Sequence, residues 1–277
     1  MKYRCLFTSF FTLLILFAWC GQAGAAPRSV LWSFWNRTDE TSTVTVDHSV
    51  WSDFLGSYLV ADSSDGVNRV RYGAVSSKDR KELEDYISSL ERVEVRALNS
   101  KEQMAYWINL YNALTVQVIL DHFPVESIRD IDISPGLFSD GPWGAELLQI
   151  EGKEVSLNDI EHRILRPVFR DNRIHYAVNC ASIGCPNLRP HAYTAKDLEK
   201  MLEAGAREYV NSPRGARFEG TRLVVSRIYD WFQEDFGDSE EGVIEHLVAY
   251  ASPDLAAKLK AYRGRLRYEY DWDINAQ

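Results

Sequence analysis

The sequence predicts a single helix-rich α+β domain with a small antiparallel sheet. Apolar residues recur at helical spacing along much of the chain. Two turn pairs, Glu151-Gly152 and Glu219-Gly220, predict short β-hairpins. Strands and helices do not alternate as they do in a doubly wound sheet, and no internal repeat is visible. We therefore interpret residues 51–275 as one domain.

Residues 1–26 have the pattern of a signal peptide. Lys2 and Arg4 precede an apolar run, which is followed by small residues up to Ala25 and Ala26. The run is shorter than the ~20 residues that a spanning helix needs. We expect cleavage near this point and an exported protein, periplasmic or secreted, without a stable membrane span after cleavage. An uncleaved anchor is the alternative.

Charge and composition restrict the partners. The net charge is −9, and loss of Lys2 and Arg4 with the signal peptide changes it to −11. An acidic chain without a run of basic residues repels phosphate backbones, which excludes a typical nucleic-acid-binding protein. An unknown small molecule or peptide is the expected partner, and no cofactor is indicated.

Residues 27–50 are predicted to form a flexible amino-terminal tether. The stretch 36–43 is polar and shows no periodic apolar face that could be buried.

The first helices are predicted from spacing and capping residues. Apolar positions in Ser77–Leu90 recur at helical spacing, and Ser100 to Gln103 reads as a capping box. This box opens the most apolar helix of the chain. Because apolar residues nearly encircle that helix, it should lie in the core. Asn109 and Asn112 should therefore be buried and hydrogen-bonded.

The later elements follow in order. Ser156 to Asp159 is expected to cap a helix that Pro167 curtails or kinks, and Arg173–Asn179 reads as a buried strand. The remaining elements are a capped helix to about Val210, an aromatic helix at 226–236 stopped by Gly237, helices near 241–250 and from Pro253, and a final strand near 266–270.

Reactive side chains are concentrated between Asn158 and His191. Cys180 is expected at the end of the predicted strand, where a side chain is held yet open to solvent. A thiol attacks as thiolate, which needs a neighbouring base or cation. His162 is the preferred base, His175 is its rival, and Glu161 would orient the imidazole.

Other interpretations of the cysteines remain open. Cys180 and Cys185 could form a disulfide in an oxidising compartment, with Gly184 permitting the tight path. They could instead be a redox-active pair, although the spacing is not Cys-x2-Cys. Zinc binding lacks the usual ligand spacing, so no metal is predicted. Cys180 could also be an ordinary buried residue.

Five blocks closely resemble the signature blocks of the domain-of-unknown-function 547 family. They are Tyr106–Thr115, Ser156–Arg166, His175–Pro186, Ser226–Phe236 and Tyr270–Asn275. The resemblance extends from about Trp51 to Asn275. A further resemblance, to papain-like or transglutaminase-like thiol enzymes, would imply a cysteine at a helix start ahead of the histidine. Here Asn109 lies in that helix, and His162 and His175 precede Cys180.

The leading hypothesis is an exported thiol-dependent hydrolase or transferase with Cys180 as nucleophile. One alternative is a non-catalytic envelope module with a Cys180–Cys185 disulfide. Ligand-binding residues would then be drawn from Asn109, Asn112, Asn158 and Asn179. The other alternative is a thiol-redox protein. Counting free thiols would separate these hypotheses.

Overall fold

The computed structural model describes residues 27–61, 63–136 and 141–277, and it is a helix-rich α+β fold. The predicted signal peptide lies outside the described residues. The α-helices are α1 (Ser49–Tyr58), α2 (Ser77–Leu90), α3 (Ser100–His122), α4 (Leu198–Val210), α5 (Ile228–Trp231), α6 (Glu240–Tyr250) and α7 (Pro253–Ala261). The strands are β1 (Leu59–Val60), β2 (Arg69–Val70), β3 (Leu148–Ile150), β4 (Lys153–Val155), β5 (Ala216–Glu219), β6 (Arg222–Ser226) and β7 (Arg267–Glu269). Within these ranges, no helix has both the length and the apolarity to cross a bilayer.

Helix α3 is the centre of the larger hydrophobic core. Every residue from Glu102 to Leu120 is buried, as expected of a helix that is apolar on all sides. Its cap is one residue earlier than the sequence predicts. The Asn99 side chain accepts the Glu102 backbone N–H at 3.0 Å, whereas Ser100 is the first helical residue. Asparagine is as effective as serine in this role.

A second core lies between α4, α6, α7 and a three-stranded sheet. Tyr176 belongs to this core, whereas its neighbours Ile174 and Ala177 belong to the first. The segment that leads to Cys180 therefore runs between the two cores.

Both predicted hairpins are present. Glu151 and Gly152 have positive φ angles of 45° and 71°, which is the backbone that a two-residue turn between twisted strands favours. Strand β5 pairs antiparallel with β6, and β7 joins β6 in parallel with Ser226 opposite Glu269. The residues that follow β6 and β7 therefore emerge at the same edge of the sheet.

The strand predicted at Arg173–Asn179 is wrong. A 3-10 helix occupies Asn172–Tyr176, and Asp171 caps it by accepting the Arg173 N–H. The backbone N–H groups of Ala177 and Val178 both donate to the Ile174 carbonyl. Local turns satisfy this backbone because it enters between two cores and pairs with no strand.

The helix after β4 is a π-helix, Asp159–Phe169. Ser156 caps it as predicted, since its hydroxyl accepts the Asp159 N–H. Pro167 lies inside it and has no N–H to donate to the preceding turn. The carbonyls of His162 and Arg163 instead accept N–H groups from Val30 and Trp32, at 3.0 and 2.9 Å.

These two bonds show that the tether predicted for residues 27–50 is wrong for its first part. Trp35 is fully buried and packs edge-on against Trp107, with ring centroids 5.1 Å apart. The polar residues that follow Trp35 led to the prediction of a tether, although Trp35 itself is buried. The amino-terminal segment is part of the fold.

Candidate functional site

The two thiols lie together at the junction of the cores. Cys180 and Cys185 are both free, and their sulfur atoms are 2.9 Å apart. The Cys180 backbone N–H also donates to the Cys185 sulfur at 3.0 Å. Cys180 is partly exposed, whereas Cys185 is buried.

The loop between the cysteines is fixed by the end of the chain. Gly184 donates its N–H to the Asp271 carbonyl at 2.8 Å, and a Cβ at this glycine would lie 2.7 Å from the Asp271 nitrogen. Ala181 adopts a left-handed φ of 57°, and the Asn179 side chain accepts its N–H. Only a residue without a side chain fits at Gly184, so the tight path is built into the sequence.

Three groups that can donate to a thiolate surround the Cys180 sulfur. The Ser182 hydroxyl is 3.2 Å away, the Tyr270 hydroxyl 3.0 Å, and the Cys185 sulfur 2.9 Å. Burial acts to raise the pKa of the Cys180 thiol, but these hydrogen bonds together outweigh it and lower that pKa below its ordinary value. Cys180 is therefore the thiol that ionises first.

Cys185 behaves in the opposite way. Burial, together with its hydrogen bond to the Cys180 sulfur, raises the pKa of the Cys185 thiol well above its ordinary value. The pair thus consists of one thiol that ionises more readily than an ordinary cysteine and one that ionises less readily.

The predicted histidine bases lie in a different cluster. His175 pairs through Nε2 with Asp235 at 2.7 Å, and its Nδ1 is 3.8 Å from Glu161. Nδ1 of His162 is 4.0 Å from Glu161 and 3.2 Å from the Arg166 guanidinium. Among the described residues, the hydrogen-bond partners of the Cys180 sulfur include no imidazole. The predicted Cys–His pair is therefore wrong.

The reason lies in the 3-10 helix that replaces the predicted strand. This turn directs His175 away from the thiols, where its ring stacks on Phe232 with centroids 4.5 Å apart. Glu161 accepts a hydrogen bond from Tyr111 at 3.0 Å, rather than orienting a base for Cys180. Burial lowers the pKa of His162 to about 4, so this imidazole is neutral near pH 7.

Arg166 is the cation of this buried cluster. Its guanidinium contacts Glu234 at 2.6 Å and Asp235 at 2.5 Å, and it also donates to the Pro27 carbonyl. Burial acts to raise the pKa of Asp235, but its bonds to His175 and Arg166 lower it overall. A cavity of about 470 Å³ lies beside the cluster, with Arg166 and Asp235 among its walls.

The asparagines proposed as ligand-binding residues position backbone instead. Asn109 both donates to and accepts from the backbone of Tyr193, at 2.8 and 2.9 Å. Asn112 donates to the Ala177 carbonyl and accepts the Asn179 N–H. The prediction that Asn109 and Asn112 are buried and hydrogen-bonded is confirmed.

Asn179 has the same positioning role, because its amide donates to the Pro186 carbonyl at 2.7 Å. Asn158 is partly buried at the start of the π-helix, and its backbone N–H donates to the Trp143 carbonyl. His191 is exposed. In the part of the chain that the structure describes, no group of three or more His, Cys, Asp or Glu side chains could hold a metal ion.

The sequence alone did not identify Ser182 and Tyr270. Tyr270 is 90 positions from Cys180, so no local pattern links them. Tyr270 also lines a second cavity of about 470 Å³, together with Arg227, Trp231, Tyr268, Glu269 and Trp272. Two signals pointed to this region: the aromatic residues Tyr270 and Trp272 beside the final strand, and the resemblance of Tyr270–Asn275 to a family signature block.

A family model matches part of the chain. The family model described as "Protein of unknown function, DUF547" matches residues 95–210, a segment that contains both cysteines, Glu161, His162 and His175. No curated protein and no solved structure shows significant similarity to the chain. The match identifies residues 95–210, the segment that includes the thiol loop, as a DUF547 domain.

Proposed function

We propose that this protein is a thiol–disulfide oxidoreductase in which Cys180 is the nucleophile and Cys185 the resolving thiol. One observation carries the proposal. Two free thiols lie 2.9 Å apart, one partly exposed with a lowered pKa and the other buried with a raised pKa. That asymmetry is the arrangement that disulfide exchange requires.

The reaction proceeds in two exchanges. The Cys180 thiolate attacks one sulfur of a substrate disulfide; the substrate S–S bond breaks, and one half leaves as a thiolate that takes up a proton. Cys185 then loses its proton to solvent and attacks the Cys180 sulfur, which releases the second half as a thiolate. The substrate gains two electrons, and the protein holds a Cys180–Cys185 disulfide. The reverse sequence oxidises a substrate dithiol.

The surroundings of the pair favour exchange over hydrolysis. A thiol hydrolase or transferase needs an imidazole near the sulfur to move the proton of the leaving group. His175 and His162 are instead committed to Asp235, Glu161 and Arg166. The hydrogen bonds from Ser182 and Tyr270 can stabilise a thiolate without a proton carrier.

The predicted signal peptide fits the same proposal. Export would place the protein in an oxidising compartment, where a dithiol that cycles with its disulfide has partners of both redox states. We therefore propose that it acts in the periplasm or after secretion.

Thiol counting in glutathione buffers tests the proposal. The mature protein should show two alkylatable thiols in reduced buffer and none in oxidised buffer, with a reversible transition between them. A protein whose thiols stay free at every ratio, or whose disulfide persists in excess reduced glutathione, would not be an oxidoreductase. The persistent disulfide would favour a binding module.

Two matched variants assign the roles. Cys185→Ser should accumulate a mixed disulfide between Cys180 and glutathione, because the resolving thiol is missing; mass spectrometry detects the adduct. Cys180→Ser leaves only the buried thiol with the raised pKa and should form little adduct. Equal adduct on both variants would contradict the assignment.

A further inference from the structure

The cavity beside the thiols is lined by three aromatic rings that are tilted against one another by 36° to 58°. Trp231, Tyr270 and Trp272 line it, and all three are partly exposed. Their ring centroids are 4.7–5.4 Å apart, so the rings contact one another and leave no gap for a group between them. A ligand must therefore lie on this surface. The ligand that suits it is planar or apolar.

A guanidinium without a carboxylate partner lies at the same cavity. Arg227 follows β6, and its guanidinium donates to the Tyr268 backbone carbonyl at 3.4 Å. Within residues 27–61, 63–136 and 141–277, no carboxylate lies within ion-pairing distance of Arg227. Most other cavity-lining residues are uncharged, so Arg227 is the available binding group for an anion.

The one carboxylate in the cavity wall does not cancel this charge. Glu269 is contacted by Arg217 at 2.5 Å and by Arg267 at 3.0 Å. Arg217 also pairs with Glu219 at 2.7 Å, so the charges of Glu219 and Glu269 are matched by Arg217 and Arg267, and Arg227 remains as a cation at the cavity. A cation in this position favours an anionic ligand.

Tyr270 connects the cavity to the thiol. Its ring forms part of the cavity wall, and its hydroxyl is 3.0 Å from the Cys180 sulfur. A molecule on the aromatic surface is thus separated from the Cys180 sulfur by the Tyr270 side chain. Positioning of this kind is what accelerates a reaction between two bound groups.

We propose that this cavity binds the carboxylate-bearing, apolar half of an anionic disulfide, with the carboxylate on Arg227 and the apolar part on the Trp231 and Trp272 rings. The proposal rests on the oxidoreductase function and names its substrate class. The sulfur attached to the bound half is then presented to Cys180.

Two aromatic disulfides that differ in charge provide the test. Dithiobis(nitrobenzoate) is anionic and dithiodipyridine is neutral at pH 7, and each releases a coloured thiol when it reacts. The reduced mature protein is mixed with each reagent, and second-order rate constants are compared between variants. Arg227→Gln should slow the anionic reagent about 10-fold, the loss expected for one charge-assisted contact, and change the neutral reagent less than about 2-fold.

The control is Arg222→Gln. Arg222 is exposed at the other end of β6, so this variant makes the same charge change away from the cavity. It should leave both rates within about 2-fold, because screening limits distant charges. Trp231→Ala should slow both reagents, since each has an aromatic ring to stack.

The outcomes separate the two proposals. If the reduced protein reacts with both reagents no faster than its Cys180→Ser variant does, the oxidoreductase function fails. If it reacts through Cys180 but Arg227→Gln and Arg222→Gln have equal effects, the oxidoreductase function stands and the anionic substrate class is wrong. If Arg227→Gln slows the reaction with the anionic reagent and not the reaction with the neutral one, both proposals are supported.

Discussion

At the Cys180 sulfur, hydrogen bonding from three side chains competes with burial. Burial alone would favour the neutral thiol, but the Ser182, Tyr270 and Cys185 donors all stabilise the thiolate. No imidazole or other cation is needed for this effect. The reactivity of the site therefore depends on hydroxyl groups that sequence reasoning would class as ordinary polar residues.

Alkylation rates should follow this arrangement. Iodoacetamide should label Cys180 faster than Cys185, with a pH midpoint below the ordinary thiol pKa of 9.0, because only the thiolate reacts. Tyr270→Phe removes one donor and should move the midpoint to higher pH. Tyr268→Phe, on the adjacent strand, is the matched control and should leave it unchanged. Equal midpoints for all three proteins would show that Tyr270 does not stabilise the thiolate.

Asn112 should contribute to stability through the backbone that it joins. Asn112→Leu leaves the Ala177 carbonyl and the Asn179 N–H without partners, which should lower the free energy of unfolding by about 1–3 kcal/mol. Urea denaturation measures the change. The exposed Asn36→Leu is the control and should change stability by less than about 0.5 kcal/mol. If Asn112→Leu leaves the free energy of unfolding unchanged, the role assigned to Asn112 is contradicted.

At the scale of elements, the amino-terminal segment and the π-helix form one unit. Pro167 has no N–H, and the carbonyls of His162 and Arg163 are satisfied by Val30 and Trp32 instead. A helix that appears to be interrupted in the sequence is therefore completed by a segment about 130 positions earlier. Docking of this segment also brings Ser29 to Glu234, whose carboxylate accepts its N–H at 3.1 Å.

Trp35 anchors that unit, and its removal should be costly. Trp35→Ala should lower the free energy of unfolding by about 3–5 kcal/mol, because a fully buried large side chain leaves a cavity. Val44→Ala, at a valine that is 55% exposed on the same segment, should cost less than about 0.5 kcal/mol. Chemical denaturation of both variants checks this. If both substitutions change the free energy of unfolding by similarly small amounts, the prediction of a flexible tether is supported instead.

At the scale of the whole molecule, the carboxyl-terminal segment joins the two cores at the thiol loop. Asn275 donates its N–H to the Ala181 carbonyl, and its own carbonyl accepts the Val70 N–H. Ile183 donates to the Asp273 carbonyl at 2.8 Å. The thiol loop is thus held by the last residues of the chain, which also pair with the end of β2.

Buried histidines should make the whole fold sensitive to acid. Burial lowers the pKa of His48 and of His162 from 6.5 to about 4. The unfolded chain therefore binds more protons between pH 6.5 and 4, so stability is retained near pH 7 and lost as pH falls through this window. Each histidine should cost roughly 2 kcal/mol at pH 5.

Urea unfolding at pH 7 and pH 5 measures this loss. His48→Gln should reduce the difference between the two pH values, because one titrating group is gone. His191→Gln, at an exposed histidine, should leave the difference unchanged. Equal stability of the native chain at both pH values would contradict the burial of neutral imidazoles.

Several parts of the fold were predictable because their signals are local. The Glu151-Gly152 turn, the Ser156 cap and the uniformly apolar α3 each depend on residues within a few positions of one another. The strand at 173–179 failed because a short apolar run fits either a strand or a turn between two cores. The tether failed because a single buried tryptophan, Trp35, outweighs the polar residues that follow it.

The sequence by itself determined that helices dominate, that Asn109 and Asn112 are buried and that Cys180 and Cys185 share one tight loop. Only the tertiary structure decided what surrounds the Cys180 sulfur. It brought Tyr270 to the thiol across 90 positions and turned His175 toward Asp235 instead. The physical reason is that a thiol's pKa depends on atoms within a few ångströms, and those atoms come from segments that only the packing of two cores brings together.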